Sequence, residues 1–221
     1  EIASCLVGSE MCIRDRVEKV RQFRLSSKAT TTNGYAKVPQ LFAQITQPDD
    51  VDFLIIPSVS SERRRYVPIG FATRDIISSN AVQIVPNATL YHFGVLTSNV
   101  HMAWMRAVCG RLKSDYRYSK EIVYNTFPWP KPTEEQKIKI EQTAQMILNA
   151  REQYSDCSLA DMYGEKMYLF PELVKAHQDN DRAVMQAYGF TKGTEAYKSE
   201  AACVAELMKL YQKKVEELEK R

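Results

Sequence analysis

Short apolar runs broken by proline and turn residues fill the first half of the chain, and longer stripes at helical spacing fill the second. Residues 42–46, 52–57, 65–71 and 81–85 are rich in Ile, Val, Phe and Tyr. Pro48, Pro57, Pro68 and Pro86 punctuate them, and Asp49-Asp50 and Ser78-Ser79-Asn80 are turn signals, so the pattern predicts four short strands. Residues 122–124 predict a further short strand. One helix interrupts the strands: Ser98 can cap it, and Val100, Ala103, Trp104, Ala107, Val108 and Leu112 share one face.

A boundary falls at Phe127-Pro128-Trp129-Pro130-Lys131-Pro132. Alternate prolines continue neither a helix nor a central strand, so this is a stiff extended connector. Thr133 then opens a helix, with Gln136 placed to complete a capping box, and the helix runs to about Gln153 with Ile140, Ala144, Ile147 and Leu148 on one face. A second helix starts near Pro171, a favoured first-turn position, and stops before Gly189. A third runs from about Glu195 to the C-terminus, striped by Val204, Leu207, Met208, Tyr211, Val215 and Leu218. Such stripes are packing faces rather than chemistry. The expected fold class is α+β: a mixed, β-rich domain over residues 17–131 with an inserted helix, followed by a helical region over residues 132–221.

Composition fits a globular protein, with 44% hydrophobic and 26% charged residues in 221. The most apolar stretch, residues 90–108, is broken by His92, Asn99, His101 and Arg106, so no membrane partner is expected. The five cysteines form no CxxC pair, which argues for reduced thiols, a cytoplasmic location and no metal. The net charge of +3 hides an asymmetry. Residues 17–131 hold 15 Lys+Arg against 8 Asp+Glu, a net of +7, while residues 132–221 hold 13 against 16, a net of −3. A basic half points to a polyanionic partner.

Residues 1–16 stand apart. Residues 5–16 read CLVGSEMCIRDR, which fits one reading frame of a tagmentation sequencing adapter codon by codon. Residues 1–16 are therefore expected to be translated adapter, outside the fold, with natural coding sequence continuing upstream of codon 17.

Two clusters carry the candidate chemistry. Ser61, Glu62, Arg63, Arg64 and Arg65 lie between two predicted strands. An arginine fork can bind phosphate oxygens or the paired acceptors of a guanine edge, and Glu62 can accept from a cytosine amino group or orient a guanidinium. If the run is a strand, Arg63 and Arg65 share one face and Arg64 opposes them. The second cluster is Arg111, Lys113, Tyr116, Arg117, Tyr118, Ser119 and Lys120. Its cations suit backbone phosphates, its tyrosines can stack or donate, and Ser119 can donate to phosphate. The alternative for Arg111 and Lys113 is attraction to the carbonyls at a helix end. His92, His101 and His177 are scattered without metal-ligand spacing, and His101 on an apolar helix reads as a core histidine.

Catalytic patterns are missing. Methylating an adenine amino group needs a cofactor cradle and an Asn/Asp-Pro-Pro-Tyr/Phe loop that accepts from the flipped base and stacks on it. The nearest string, Asn125-Thr126-Phe127-Pro128-Trp129, lacks consecutive prolines, and no glycine-rich loop occurs.

Taken together, SERRRYVPIGF (61–71), PNATLYHFGVL (86–96), MAWMRAVCGRLKSDYRY (102–118) and IVYNTFPWP (122–130) resemble the target-recognition region of MmeI-like and YeeA-like DNA methyltransferases. The strings fall in that family's order, and the resemblance extends over about residues 17–190. It implies a whole enzyme that uses S-adenosylmethionine to methylate adenine in a short DNA sequence, in some relatives fused to a nuclease. It implies that this chain grips double-stranded DNA and reads bases, partnered by an N-terminal methyltransferase domain, and that it holds no cofactor or catalytic residue itself. Two other readings stay open: a stand-alone specificity subunit, and a helical interaction module that does not bind DNA.

Overall fold

The computed structural model describes residues 2–43 and 50–220, with side chains from Cys12 onward. It divides into two compact units, residues 1–46 and 47–221. In the first unit, helix α1 (Ile2–Leu25) is followed by the short helix α2 (Thr30–Gly34) and a 3-10 turn at Tyr35–Lys37. Arg24 closes the end of α1 by donating to the Tyr35, Val38 and Leu41 carbonyls at 2.8–3.0 Å. Helix α1 runs unbroken through the stretch that the codon pattern assigns to adapter.

The second unit carries two small antiparallel sheets and a set of helices. Strand β1 (Phe53–Pro57) is central in the first sheet, between β3 (Gly70–Ala72) and β4 (Val82–Pro86). Its register sets Ile55 opposite Gly70 on one side and Ile84 on the other. Phe53, Leu54 and Ile56 are fully buried, so β1 is a core strand on both faces. The second sheet has the order β2-β6-β5, from β2 (Val59–Ser60), β6 (Asp115–Arg117) and β5 (Gly110–Leu112).

Residues 90–108 form two helices, α3 (Leu90–Leu96) and α4 (Asn99–Val108), divided at Thr97-Ser98. Ser98 caps α4 as expected, its Oγ accepting from the His101 amide at 3.4 Å. Helix α3 is seven residues long and packs on several sides, so it offered no stripe to predict. Thr133 and Gln136 form the expected capping box at the start of α5 (Glu134–Glu152). After the short α6 (Leu159–Met162) comes α7 (Pro171–Ala187), opened by Pro171. The expected third helix is broken. Ser199 is extended and caps α9 (Glu200–Glu219), separating it from α8 (Glu195–Lys198).

Helix α5 packs on α3 and α7, and α9 packs on α4. One continuous core therefore crosses the proline connector, from Leu54, Phe93 and Trp104 to Ile140, Leu173 and Leu207. Helix α3 approaches α5 tightly at Gly94. A Cβ there would stand 2.7 Å from Ile140 Cγ2 and 3.2 Å from the Ala144 Cβ, and the Gly94 carbonyl accepts from buried Asn180 at 2.8 Å.

Three strand expectations need correction. Within residues 65–71 only the end pairs: β3 begins at Gly70, because Pro68 cannot donate to a ladder. Residues 122–124 are helical, within a π turn at Lys120–Tyr124 closed by the Asn125 amide donating to the Lys120 carbonyl at 2.8 Å. Phe42 and Ala43 are not in a strand, and the rest of residues 42–46 lies outside the described residues.

Candidate nucleic-acid interface

Strand β2 builds the site. It pairs antiparallel with β6, setting Val59 opposite Arg117 and Ser60 opposite Tyr116. The chain leaving β2 is therefore delivered beside the β5–β6 hairpin, and two clusters about fifty residues apart in sequence meet in space. Glu62 Oε2 lies 3.9 Å from Arg111 Nη1 across this junction.

Residues 61–66 form a turn rather than a strand, with the Arg64 amide donating to the Ser61 carbonyl at 3.1 Å and the Arg63 amide to Ser61 Oγ at 3.4 Å. The strand expected to alternate Arg63, Arg64 and Arg65 is absent, although their burial does alternate. Arg63 and Arg65 are exposed and Arg64 is half-buried.

The hairpin turns at Lys113, whose φ of 57° is left-handed. A lysine there is strained by about 1–2 kcal/mol, because its Cβ crowds the following carbonyl. Arg111 lies 4.1 Å above the Tyr116 ring and donates to the Ser114 carbonyl at 2.8 Å, which holds its fork in place. Arg111, Lys113, Arg117 and Lys120 are exposed, and Lys120 lies 3.8 Å from Glu121.

The tyrosines belong to the core instead. Tyr116 and Tyr118 are 8% and 3% exposed, so neither presents a ring for stacking on a base. The Tyr118 hydroxyl sits 3.1 Å from Nε2 of His101, whose burial pushes its pKa down to about 3. Ser119 Oγ accepts from the Ile122 amide at 3.4 Å and so caps the π turn.

Beneath the turn runs a buried polar network that sequence reasoning missed. The Tyr66 hydroxyl donates to Asp181 Oδ2 at 2.6 Å, and the Asn99 amide donates to Asp181 Oδ1 at 2.7 Å. Burial pushes the Asp181 carboxyl up to about 6, against the pull of these bonds and of Arg65 and Arg182. The Tyr66 ring stacks on His177 at 4.2 Å. Arg151 donates to the Tyr163 hydroxyl from Nε at 2.9 Å and Nη2 at 2.6 Å, and to the Ile69 carbonyl at 2.8 Å. The Tyr163 hydroxyl therefore donates onward to His177 Nε2 at 2.7 Å, leaving the ring proton on Nδ1. Burial, then nearby Arg151, holds His177 neutral.

Two further tethers reach the turn. Arg63 Nη1 meets Glu165 Oε1 at 2.8 Å. Arg106 makes a two-point bond to Glu200, at 2.7 and 2.8 Å, while donating from its other nitrogen to the Arg65 carbonyl at 3.2 Å. The one signal for Arg106 was a lone cation inside an apolar helix.

The string 125–129 does not present an amino-acceptor loop. Phe127 is 2% exposed and its ring stands edge-on to His101 at 4.5 Å, so it cannot stack on a flipped base. Among the described residues no three His, Cys, Asp or Glu side chains group to hold a metal, and no helix is long and apolar enough to cross a membrane.

The fold is α+β, two small antiparallel sheets with helices followed by a helical C-terminal region. A family model described as "MmeI, target recognition domain" matches residues 6–131, and one described as "MmeI, C-terminal domain" matches residues 132–219. The chain belongs to the MmeI family. It is 47% identical to the Type IIL restriction-modification enzyme MmeI, whose structure was solved in complex with DNA; the match covers 91% of this chain and 26% of that one, with a TM-score of 0.82. It is 36% identical over 210 residues to DNA methyltransferase A of Bacillus subtilis (strain 168), covering 95% of this chain and 23% of the relative. The chain thus spans about a quarter of the length of either relative.

Proposed function

We propose that this chain grips duplex DNA and reads its bases, as the recognition part of an adenine-specific DNA methyltransferase or a fused restriction-modification enzyme. The observation that carries the reading is the β2–β6 pairing, which brings the turn with exposed Glu62, Arg63 and Arg65 and half-buried Arg64 beside the hairpin with exposed Arg111, Lys113 and Arg117, followed in the chain by exposed Lys120. Cations at turn and hairpin tips can reach into a groove or along a backbone. The Glu62–Arg111 pair offers an acceptor beside a donor fork, the two functions needed to tell one base pair from another. The likeness to an enzyme solved with DNA supports the same partner.

The methyl donor of the whole enzyme is S-adenosylmethionine, held with the catalytic groups by a methyltransferase domain elsewhere in a longer protein. Support for that division comes from the share of DNA methyltransferase A that the chain covers, 23%. No residue of this chain is assigned to the cofactor or to a chemical step.

The test is duplex binding by the chain across a salt series. Phosphate contacts release counterions, so the logarithm of affinity should fall linearly with the logarithm of salt, at about 0.9 per contact. No binding, or a flat salt dependence, contradicts the reading and favours a helical interaction module.

A further inference from the structure

The turn at residues 61–66 is held from outside its own domain. Among the described residues, the two carboxylates that anchor it, Asp181 and Glu200, and the weakly held Glu165 come from residues 132–221, the half of the chain with net charge −3. Asp181 takes the Tyr66 hydroxyl at the end of the turn. Glu200 orients Arg106, which holds the Arg65 carbonyl. Glu165 meets Arg63 at the turn's outer side. Apart from the Arg106 bond, the turn has few bonds of its own within residues 17–131: one backbone bond, one to Ser61 Oγ, the Arg65 contact with the Tyr66 ring at 5.4 Å and a long contact from Glu62 to Arg111 at 3.9 Å. Left to these, it would sample many conformations, and an arginine displaced by an ångström loses a bidentate contact.

Building on the proposed DNA reading, we propose that Asp181 and Glu200 are positioning residues for base recognition: through Tyr66 and Arg106 the C-terminal helices hold residues 61–66 in the conformation that reads bases.

The bonds differ in strength. Asp181 is 5% exposed, and its two oxygens accept two separate donors, so that anchor is rigid. Arg106 is mostly covered and bound at two points. The Arg63–Glu165 pair has side chains 71% and 62% exposed and is worth little. Positioning is therefore assigned to Asp181 and Glu200, and Glu165 serves as an internal control. Asp181 faces Tyr66 and Arg65 from the turn, the Asn99 amide from α4, and Arg182 beside it on α7. Its carboxyl, pushed up to about 6, exchanges a charged acceptor for a neutral one as the medium is acidified. A neutral acid holds the Tyr66 hydroxyl less tightly.

The experiment uses the full chain and a library of duplexes with a randomised window, sequenced after binding. The parent should enrich one motif. Tyr66→Phe, Asp181→Asn and Glu200→Gln should each reduce that enrichment about tenfold, as expected for one lost base contact, while leaving the salt slope unchanged because phosphate contacts remain. Glu165→Gln should leave both unchanged. Motif enrichment by the parent should weaken as the pH falls through about 6, and that dependence should vanish in Asp181→Asn. Glu200 is half-exposed, so Glu200→Gln carries the test if a buried variant fails to fold. A parent that selects a motif while Glu200→Gln and every folded variant select it equally well overturns the positioning role alone. A parent that binds without selecting any motif overturns the base-reading function, and the positioning role falls with it.

Discussion

Tyr66 and Asp181, 115 residues apart in sequence, share a 2.6 Å hydrogen bond that closes the candidate recognition turn against helix α7. The two Asp181 oxygens are both used, one by Tyr66 and one by the Asn99 amide. This arrangement ties the domain matched at residues 6–131 to the one matched at 132–219.

Asp181 should give the fold a pH dependence of definite sign. Its folded pKa, about 6, lies above the ordinary 3.8, so the native state takes up the proton more readily than the unfolded chain. Its contribution is fully present below about pH 4 and is lost as pH rises through about 6. Denaturant midpoints over this window should fall for the parent relative to Asp181→Asn. Parallel profiles for the two proteins would show that the carboxyl does not titrate as its burial requires.

Gly94 is where α3 meets α5. Gly94→Ala would place a methyl 2.7 Å from Ile140 Cγ2, and overpacking of this kind costs about 1–3 kcal/mol. The urea midpoint should drop with the slope preserved. An unchanged midpoint would mean that the helices part freely and that the junction is looser than described.

How much of this was legible in the sequence depends on how local the determinant is. Helices α4, α5 and α7 announce themselves through Ser98, the Thr133–Gln136 box and Pro171, all within one turn of the helix they start. The basic composition of both clusters was equally plain. Their union was not, because it depends on a two-residue strand, β2, with no pattern of its own. The hairpin was hidden because Lys113 takes the left-handed position usually marked by Gly or Asn. The arginine run looked like a strand because Tyr66, Val67 and Ile69 are apolar and buried. What holds Tyr66 in place lies on α7, beyond the reach of any local rule. Tyr116 and Tyr118 looked like stacking residues for the same reason, since only the packed fold reveals that they face inward.

Lys113 separates stability from binding. Glycine adopts the left-handed backbone at no steric cost, so Lys113→Gly should stabilise the chain by up to about 1 kcal/mol. The same change should weaken DNA binding and reduce its salt slope by about one contact. A variant that is both less stable and unchanged in binding would refute both roles.

Residues 1–16 should add nothing to stability if they are translated adapter. The bonds that close the end of α1 come from Arg24 to Tyr35, Val38 and Leu41, all beyond this segment. Deleting residues 1–16 should leave the denaturant midpoint unchanged. A lower midpoint with an unchanged slope would show that the segment packs.

The most direct test of the proposed DNA-reading surface is a salt titration of binding to a selected duplex and a scrambled one, for the parent and for single alanine variants. Lysine presents a point charge suited to phosphate, and arginine a fork suited to a base edge. Lys113→Ala and Lys120→Ala should weaken both duplexes alike and lower the salt slope by about one each. Arg63→Ala or Arg65→Ala should cost roughly 1–3 kcal/mol on the selected duplex and little on the scrambled one. If all four variants bind both duplexes like the parent at every salt concentration, the surface formed by the 61–66 turn and the β5–β6 hairpin is not the one that meets DNA.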